Sequence, residues 1–233
     1  MKKLKIGLIT VLLFVSCQPN LYRTEKITQV DDQLENTIKD LYQQCELTTK
    51  LEFKIFRMAL VGFHYLELAN KDVMTIIDYS QPSTADRLFI IDMVNCKLLF
   101  NTLIAHGKNS GENLATVFSN VPESKISSIG FFVTAETYMG DNGYSLRIDG
   151  IEKGINHNAR KRDIVIHKAD YVSKAFIEQE GRLGRSWGCP ALPNELSKDI
   201  IDLIKEGTCI FVYGEDESYF IKSNFIEKNR DKS

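Results

Sequence analysis

Nitrogen and sulfur metal ligands are scarce in this chain: 233 residues carry only four histidines and five cysteines. The histidines at 64, 106, 157 and 167 form no HExxH spacing and the cysteines form no CxxC pair, which excludes the common zinc sites. Phosphate-cradling glycine loops of the GxxxxGK[ST] or GxGxxG kind are missing too, so no cofactor is expected. Neither sign of charge is in excess. With 29 Lys and Arg against 31 Asp and Glu the net charge is -2, which gives no field for a polyanion and argues against a nucleic-acid partner. The one basic run, Arg160, Lys161 and Arg162, reads as a solvated turn. Disorder is excluded as well, because 43% hydrophobic residues suffice for a full core without structural disulfides.

The N-terminus reads as a targeting segment. Lys2, Lys3 and Lys5 precede an apolar run from Ile6 to Val15, too short to span a bilayer but suited to a secretory leader over 1–16. Phe14-Val15-Ser16-Cys17 resembles a bacterial lipoprotein signal, in which Cys17 becomes the lipidated first residue and acyl chains hold the protein at a membrane. Cleavage nearby with ordinary secretion is the alternative. Residues 17–70 are expected to be a helical, lipid-anchored segment, because Ile27, Val30, Leu34, Ile38 and Leu41 recur at three-and-four spacing. A second helical stretch, LEFKIFRMALVGFHYLELA, is apolar on more than one face and is expected to pack on the domain behind it; His64 within it reads as a core or interface residue.

After Asn70 the period shortens. MTIIDYS, RLFIIDM, KLLFNTLIAHG, GFFVTAETY, YSLRIDGI, DIVIHKA and CIFVYG read as short strands of a mostly antiparallel assembly. NELSKDIIDLIKEG reads as a helix capped by Asn194 and closed by Gly207. The fold expected is mainly β with flanking helices, the catalytic domain over 71–216 and a polar tail over 217–233.

The chemistry is expected where Cys189, in GRLGRSWGCPALP, follows Ser186, Trp187 and Gly188, with IVIHKA upstream ending near His167. A thiol is mostly protonated at neutral pH, so it needs an imidazole to take its proton before it attacks a carbonyl. The Gly188-Cys189 turn leaves backbone N–H groups free to receive an oxyanion, and Pro190 stiffens its exit. Asp170, Asp163, Asn158 or a backbone carbonyl could orient His167, and the sequence does not choose among them. Cys209 lies in the apolar CIFVY and reads as a core residue. Cys45 and Cys96 could pair in an oxidising compartment, but nothing in the sequence brings them together and no disulfide is assigned.

Taken together, IVIH, SWGC and PALP resemble the YkuD-type L,D-transpeptidase catalytic domain, a family of cysteine enzymes acting on peptidoglycan. The resemblance runs from DYSQPSTADRLFIID to CIFVYG through AHGKNSGE, FSNVPESKISSIGFF, GYSLRIDGIEKGINHNARKRDIVIH and GRSWGCPAL, and is similar to the murein L,D-transpeptidase branch. The commoner branch has a second histidine just before the motif glycine; Trp187 stands there in this chain, so that imidazole's role is not carried over. The resemblance implies a β-sandwich or barrel, a peptidoglycan stem peptide as substrate, and a Cys189 thioester formed with His167 as general base. An amine acceptor gives 3-3 cross-links, water gives L,D-carboxypeptidase trimming, and a protein substrate gives release of a wall-linked protein. SSIGFF occupies the place of the family's TPxGxF segment. His106, Ser110, Ser128, Gly130 and Arg185 are candidates for the substrate cleft, Arg185 as a paired donor to a carboxylate, with Arg182 second. Ser119, Asn120 and Ser127 sit in donor-rich turns of the same blocks, and Tyr138 and Tyr144 flank a hairpin that could line the groove. A papain-like peptidase is disfavoured because its cysteine usually precedes its histidine, and a silent wall-binding lipoprotein would not need both reactive groups.

Overall fold

The computed structural model describes residues 21–227, with side chains from 33 to 226. The expected leader and Cys17 lie outside the described residues. Helix α1 spans Leu21–Gln44. The chain divides into two compact units, one ending at Thr37 and one beginning at Ile38. In the first, the Thr37 hydroxyl donates to the Gln33 carbonyl at 2.9 Å and Leu34 is exposed.

The second unit has a single main core. Ile38, Tyr42 and Cys45 are buried at the spacing of one helix face. Helix α2, Phe53–Tyr65, buries Ile55, Phe56, Ala59, Gly62 and Phe63. Gly62 allows a close approach: a Cβ there would lie 2.0 Å from the Phe131 ring. Residues 38–66 thus share their core with the sheet. His64, expected inside, is exposed and meets the Tyr65 ring edge-on at 5.5 Å, because it falls on the outer face of α2.

The sheet comprises β1 (Val73–Asp78), β2 (Leu88–Asp92), β3 (Lys97–Thr102), β4 (Gly130–Gly140), β5 (Gly143–Gly150), β6 (Val165–Lys168), β7 (Ala191–Leu192) and β8 (Cys209–Tyr213). Their spatial order is β3-β2-β1-β8-β4-β5-β6-β7. Strands β1 and β8 are apolar nearly throughout because both faces are covered, and they pair in parallel at the centre. β6 and β7 are the other parallel pair; the remaining pairings are antiparallel.

The two ends of this sheet meet. The chain leaving β3, at one edge, bridges Ala105 to Ala191 of β7, at the other, through N–H to O distances of 2.9 and 3.3 Å. Gly107 bridges Ser186 as well, in the parallel sense. The sheet therefore closes on itself along a seam, the feature of a barrel, and the Cys189 loop lies in that seam.

Helix α3 (Lys174–Glu180) is capped by the Ser173 side chain and ends at Gly181, φ 71°. Helix α4 spans Asn194–Ile204 and buries Ile200, Ile201 and Ile204. Asn194 does not cap it: Pro193 holds that position and the Asn194 amide donates to Asp170. Gly207, φ 90°, turns the chain so that its N–H reaches the Thr134 carbonyl at 2.9 Å. The stretch expected as a polar tail forms α5 (Glu217–Lys222) and α6 (Asn224–Glu227), with Tyr219 and Ile226 buried. Buried Glu152 draws them in, accepting from Ser223 Oγ, Tyr219 Oη and the Phe131 N–H.

Candidate active site

Strand β6 and the segment entering β7 position the two reactive groups. His167 stands opposite Ala191 and Lys168 opposite Leu192 in a parallel register. Continuing that register backwards puts Cys189 beside Val165, one two-residue step, about 6–7 Å along the strands, from His167. The Val165 N–H donates to Cys189 Sγ at 3.5 Å, and Sγ lies 3.5 Å from the Asp163 carbonyl. His167, 5% exposed, has Nδ1 2.8 Å from the Lys168 carbonyl. A carbonyl only accepts, so Nδ1 carries the proton and Nε2 is left as an acceptor. Of the orienting groups open to the sequence, the backbone carbonyl is the one the structure uses.

The two groups share the seam without a direct hydrogen bond between them. Burial raises the Cys189 thiol pKa, opposed by the Val165 N–H and by Arg162. Burial lowers that of His167, opposed by its bond to the Lys168 carbonyl. Both side chains are therefore neutral at rest.

The loop is tied by its own first residue. Ser186 Oγ donates to the Cys189 carbonyl at 2.6 Å and accepts from the Gly188 N–H at 3.1 Å. The amide of Gly188, expected to be free, is thus occupied, whereas among the described residues the Trp187 and Cys189 N–H groups have no hydrogen-bond partner. Gly188 holds φ 124°. A Cβ there would crowd Ile164 Cδ1 at 3.0 Å and the Ile126 carbonyl at 3.1 Å, so glycine is required. The other flank is fastened by Ser186 N–H to the His106 carbonyl at 3.0 Å and Lys108 N–H to the Ser186 carbonyl at 2.8 Å.

A family model for the L,D-transpeptidase catalytic domain matches residues 47–213. The chain belongs to that family. No curated protein matches it. Among solved structures it is similar to an L,D-transpeptidase from Mycobacterium smegmatis, at 12% identity over 61% of this chain and 59% of that one, TM-score 0.39. It is also similar to an L,D-transpeptidase from Stackebrandtia nassauensis, at 15% identity over 77% of each chain, TM-score 0.37. A third is the helical cell shape determining protein Pgp2 from Campylobacter jejuni, at 13% identity over 62% of this chain and 48% of that one, TM-score 0.39. The chain spans about three fifths of the length of the first of these.

Several polar residues of this L,D-transpeptidase domain are engaged within the protein. His106 is fully buried: Arg87 Nη2 donates to its Nδ1 at 2.8 Å, and its Nε2 faces the Gly111 carbonyl at 3.3 Å. Burial, then Arg87, lowers its pKa to about 4. Ser110 Oγ accepts from the Ser127 N–H, and Ser128 Oγ donates to the Ser119 carbonyl. Gly130, φ 96°, abuts Glu152 and not the seam. Arg185 pairs with Glu112 at 2.7 Å and Arg182 holds the other oxygen of the same carboxylate at 3.1 Å. Trp187 is 72% exposed, with the Lys125 ammonium 4.4 Å from its ring centroid. Tyr138 stacks on Arg147 within the β4–β5 hairpin, and Tyr144 donates to Asp202 and so ties the hairpin to α4.

The basic run holds the residue that sequence reasoning missed. Arg160 is solvated and paired with Asp149 and Glu136. Arg162 turns inward: its guanidinium donates to the Ser119 and Ile126 carbonyls and to Ser124 Oγ and Ser128 Oγ. Among the described residues it has no carboxylate partner, and its charge acts on Cys189. The three basic residues form a 3₁₀ turn, Arg160–Arg162, and the place of Arg162 at its end, nearest the apolar Ile164-Val165-Ile166, is the one sequence signal that it faces inward. Tyr171, whose burial raises its pKa to about 12, also lies near enough to Cys189 to feel its charge. Among the described residues no group of three His, Cys, Asp or Glu is placed to hold a metal ion, and no helix is long and apolar enough to cross a membrane.

Proposed function

We propose that the chain is an L,D-transpeptidase acting on peptidoglycan stem peptides, with Cys189 as nucleophile and His167 as general base. The observation that carries this reading is the fixed tautomer of His167, whose Nδ1 proton is spent on Lys168 and whose Nε2 is left to accept, one rung from the thiol. Nε2 takes the Sγ proton as sulfur attacks the carbonyl of the stem's third residue, and the Cys189 and Trp187 N–H groups receive the oxyanion. The imidazolium then protonates the departing D-alanine amine, leaving a thioester. An amine of a second stem, deprotonated by Nε2, attacks the thioester carbon; the C–S bond breaks, the Cys189 thiolate leaves and takes the proton back from Nε2, and the product is a 3-3 cross-link.

Arg185 and Arg182 join the substrate site by exchanging the exposed Glu112 carboxylate for one on the stem. His106, Ser110 and Ser128 act indirectly by shaping the walls, and Gly130 acts only by leaving room for Glu152 against β4. Processing after Ser16 and lipidation of Cys17 would place the enzyme on the outer side of the cytoplasmic membrane or beyond, where the wall is.

Incubation with disaccharide tetrapeptide and mass analysis of the products tests the reading. Cross-linked dimer supports transpeptidation, and tripeptide alone assigns L,D-carboxypeptidase activity. No product with any muropeptide, together with no covalent carbapenem adduct at Cys189, would leave a wall-binding lipoprotein. An adduct without muropeptide turnover would favour a protein-linked substrate.

A further inference from the structure

Trp187 is left in water beside the proposed nucleophile. It is 72% exposed, yet the backbone that carries it is tied on both sides: the Ser186 N–H donates to the His106 carbonyl, the Lys108 N–H to the Ser186 carbonyl and the Gly188 N–H to Ser186 Oγ. An aromatic surface of this size, fixed and solvated, is what a binding site presents. Its partner within the protein is the Lys125 ammonium, 4.4 Å from the ring centroid.

The backbone delivers Lys125 to that ring. Lys125 has φ 58°, a left-handed conformation that a lysine adopts at a cost and keeps where its surroundings impose it. Its carbonyl accepts from the Asn109 N–H at 3.1 Å, and Arg162 Nη2 grips both neighbours, Ser124 Oγ at 3.1 Å and the Ile126 carbonyl at 2.6 Å. The same turn leans on the Cys189 loop: the Lys125 carbonyl and Gly188 Cα stand 2.7 and 2.8 Å from the point a Cβ on Gly107 would occupy.

The charge is uncommitted. Arg185 and Arg182 share Glu112, and Arg160 holds Asp149 and Glu136, whereas among the described residues neither Lys125 nor Lys108 meets a carboxylate. An ammonium has three donors, and leaning on a ring leaves donors free for an anion. With the Trp187 and Cys189 N–H groups on the oxyanion, the acyl carbonyl sits against the backbone of Trp187, and the exposed ring with its ammonium flanks it on the solvent side.

Resting on the acyl-transfer reading above, we propose that Lys125 over Trp187 is the carboxylate subsite of the acyl acceptor, selecting an amine whose own carbon bears a carboxylate. The side-chain end of 2,6-diaminopimelate is such a group; that of lysine is an amine without the carboxylate. Amine and carboxylate hang from one carbon, so a carboxylate docked on Lys125 holds the amine at a fixed distance and aims it at the thioester. The Trp187 ring covers the methylenes behind it. The carboxylate itself does not react.

The test sets two tripeptide stems in competition, one with diaminopimelate and one with lysine as third residue, with disaccharide tetrapeptide as donor, and reads the two cross-linked products by mass. Competition for one thioester reports the second half-reaction alone. The carboxylate-bearing acceptor should be favoured roughly tenfold, Lys125→Met should bring the ratio near one, and Lys125→Arg should keep it. Equal products in the wild type, a preference that survives Lys125→Met, or one abolished by Lys108→Met instead would overturn the proposal. Binding of the same tripeptides to Cys189→Ala, read by the emission of Trp187, the one tryptophan of the chain, separates the two claims. A Lys125-dependent preference there without cross-linking keeps the subsite and sinks the acyl-transfer reading; cross-linking without that preference sinks the subsite alone.

Discussion

Cys209 and Cys189 are two thiols of one molecule under opposite regimes. Cys209 stands in the central strand β8, 0% exposed, and burial alone drives its pKa up. Cys189 stands at the seam, half-buried, where the Val165 N–H and the Arg162 charge pull against desolvation. Enclosure silences a sulfur. A backbone donor and an unpaired cation are what keep one usable, and the protein supplies them only where the sheet is joined by two bridges and not by a continuous ladder.

The contrast can be broken at several points. Cys189→Ala should abolish dimer and tripeptide formation alike, whereas Cys209→Ala should retain turnover and lose about 1–2 kcal/mol of stability, measured by denaturant unfolding. His167→Ala should lower kcat/KM by about 10²–10⁴-fold. In the wild type, the acid limb of kcat/KM should lie below the ordinary histidine value of 6.5, because burial favours the neutral imidazole. Arg162→Met should raise the pH at which Cys189 reacts with iodoacetamide and slow alkylation at pH 7 by roughly tenfold. Arg162→Lys should recover the alkylation profile better than the turnover, since it returns the charge without the four-way grip.

A further effect, on stability and not on turnover, concerns His106. Its folded pKa, about 4, lies below its unfolded value of 6.5, so the unfolded chain binds the proton first as pH falls. The stability this contributes is present above pH 6.5 and lost between 6.5 and 4, on the order of 3 kcal/mol. In His106→Gln, which can still accept from Arg87 and donate to Gly111, melting temperatures across that window should fall less steeply.

Local pattern made much of this legible. The short β-branched runs became β1, β2, β4, β5, β6 and β8, and NELSKDIIDLI became α4, because each element's burial is written in its own periodicity. Cys189 and His167 stood out for another reason, a cysteine in a small-residue turn and a histidine in IVIHKA within blocks that resemble a known family. Pairings between distant segments were not legible. The Ala105–Ala191 closure joins pieces of chain far apart in sequence, and nothing in either announces the other. Arg162 and Arg160 look alike in a string, and only the 119–128 loop folding over one of them separates their fates. The polarity of 217–227 concealed α5 and α6, since their anchor is a single buried carboxylate at Glu152. Helix α3 could have been found from Ser173 and Gly181, a cap and a stop bracketing seven residues.

The seam also limits how two substrates can share one site. On the proposed acyl-transfer route, with Ser186 laced to Lys108 on one flank and Val165 reaching the sulfur from the other, an acylated Cys189 would stay in place and its second partner would have to come to it from solvent. The irregular stretch 103–129, which is tied to the Cys189 loop through His106, Lys108 and Ser127, would then be the part of the sequence where a change alters the choice of acceptor while leaving the first half-reaction intact.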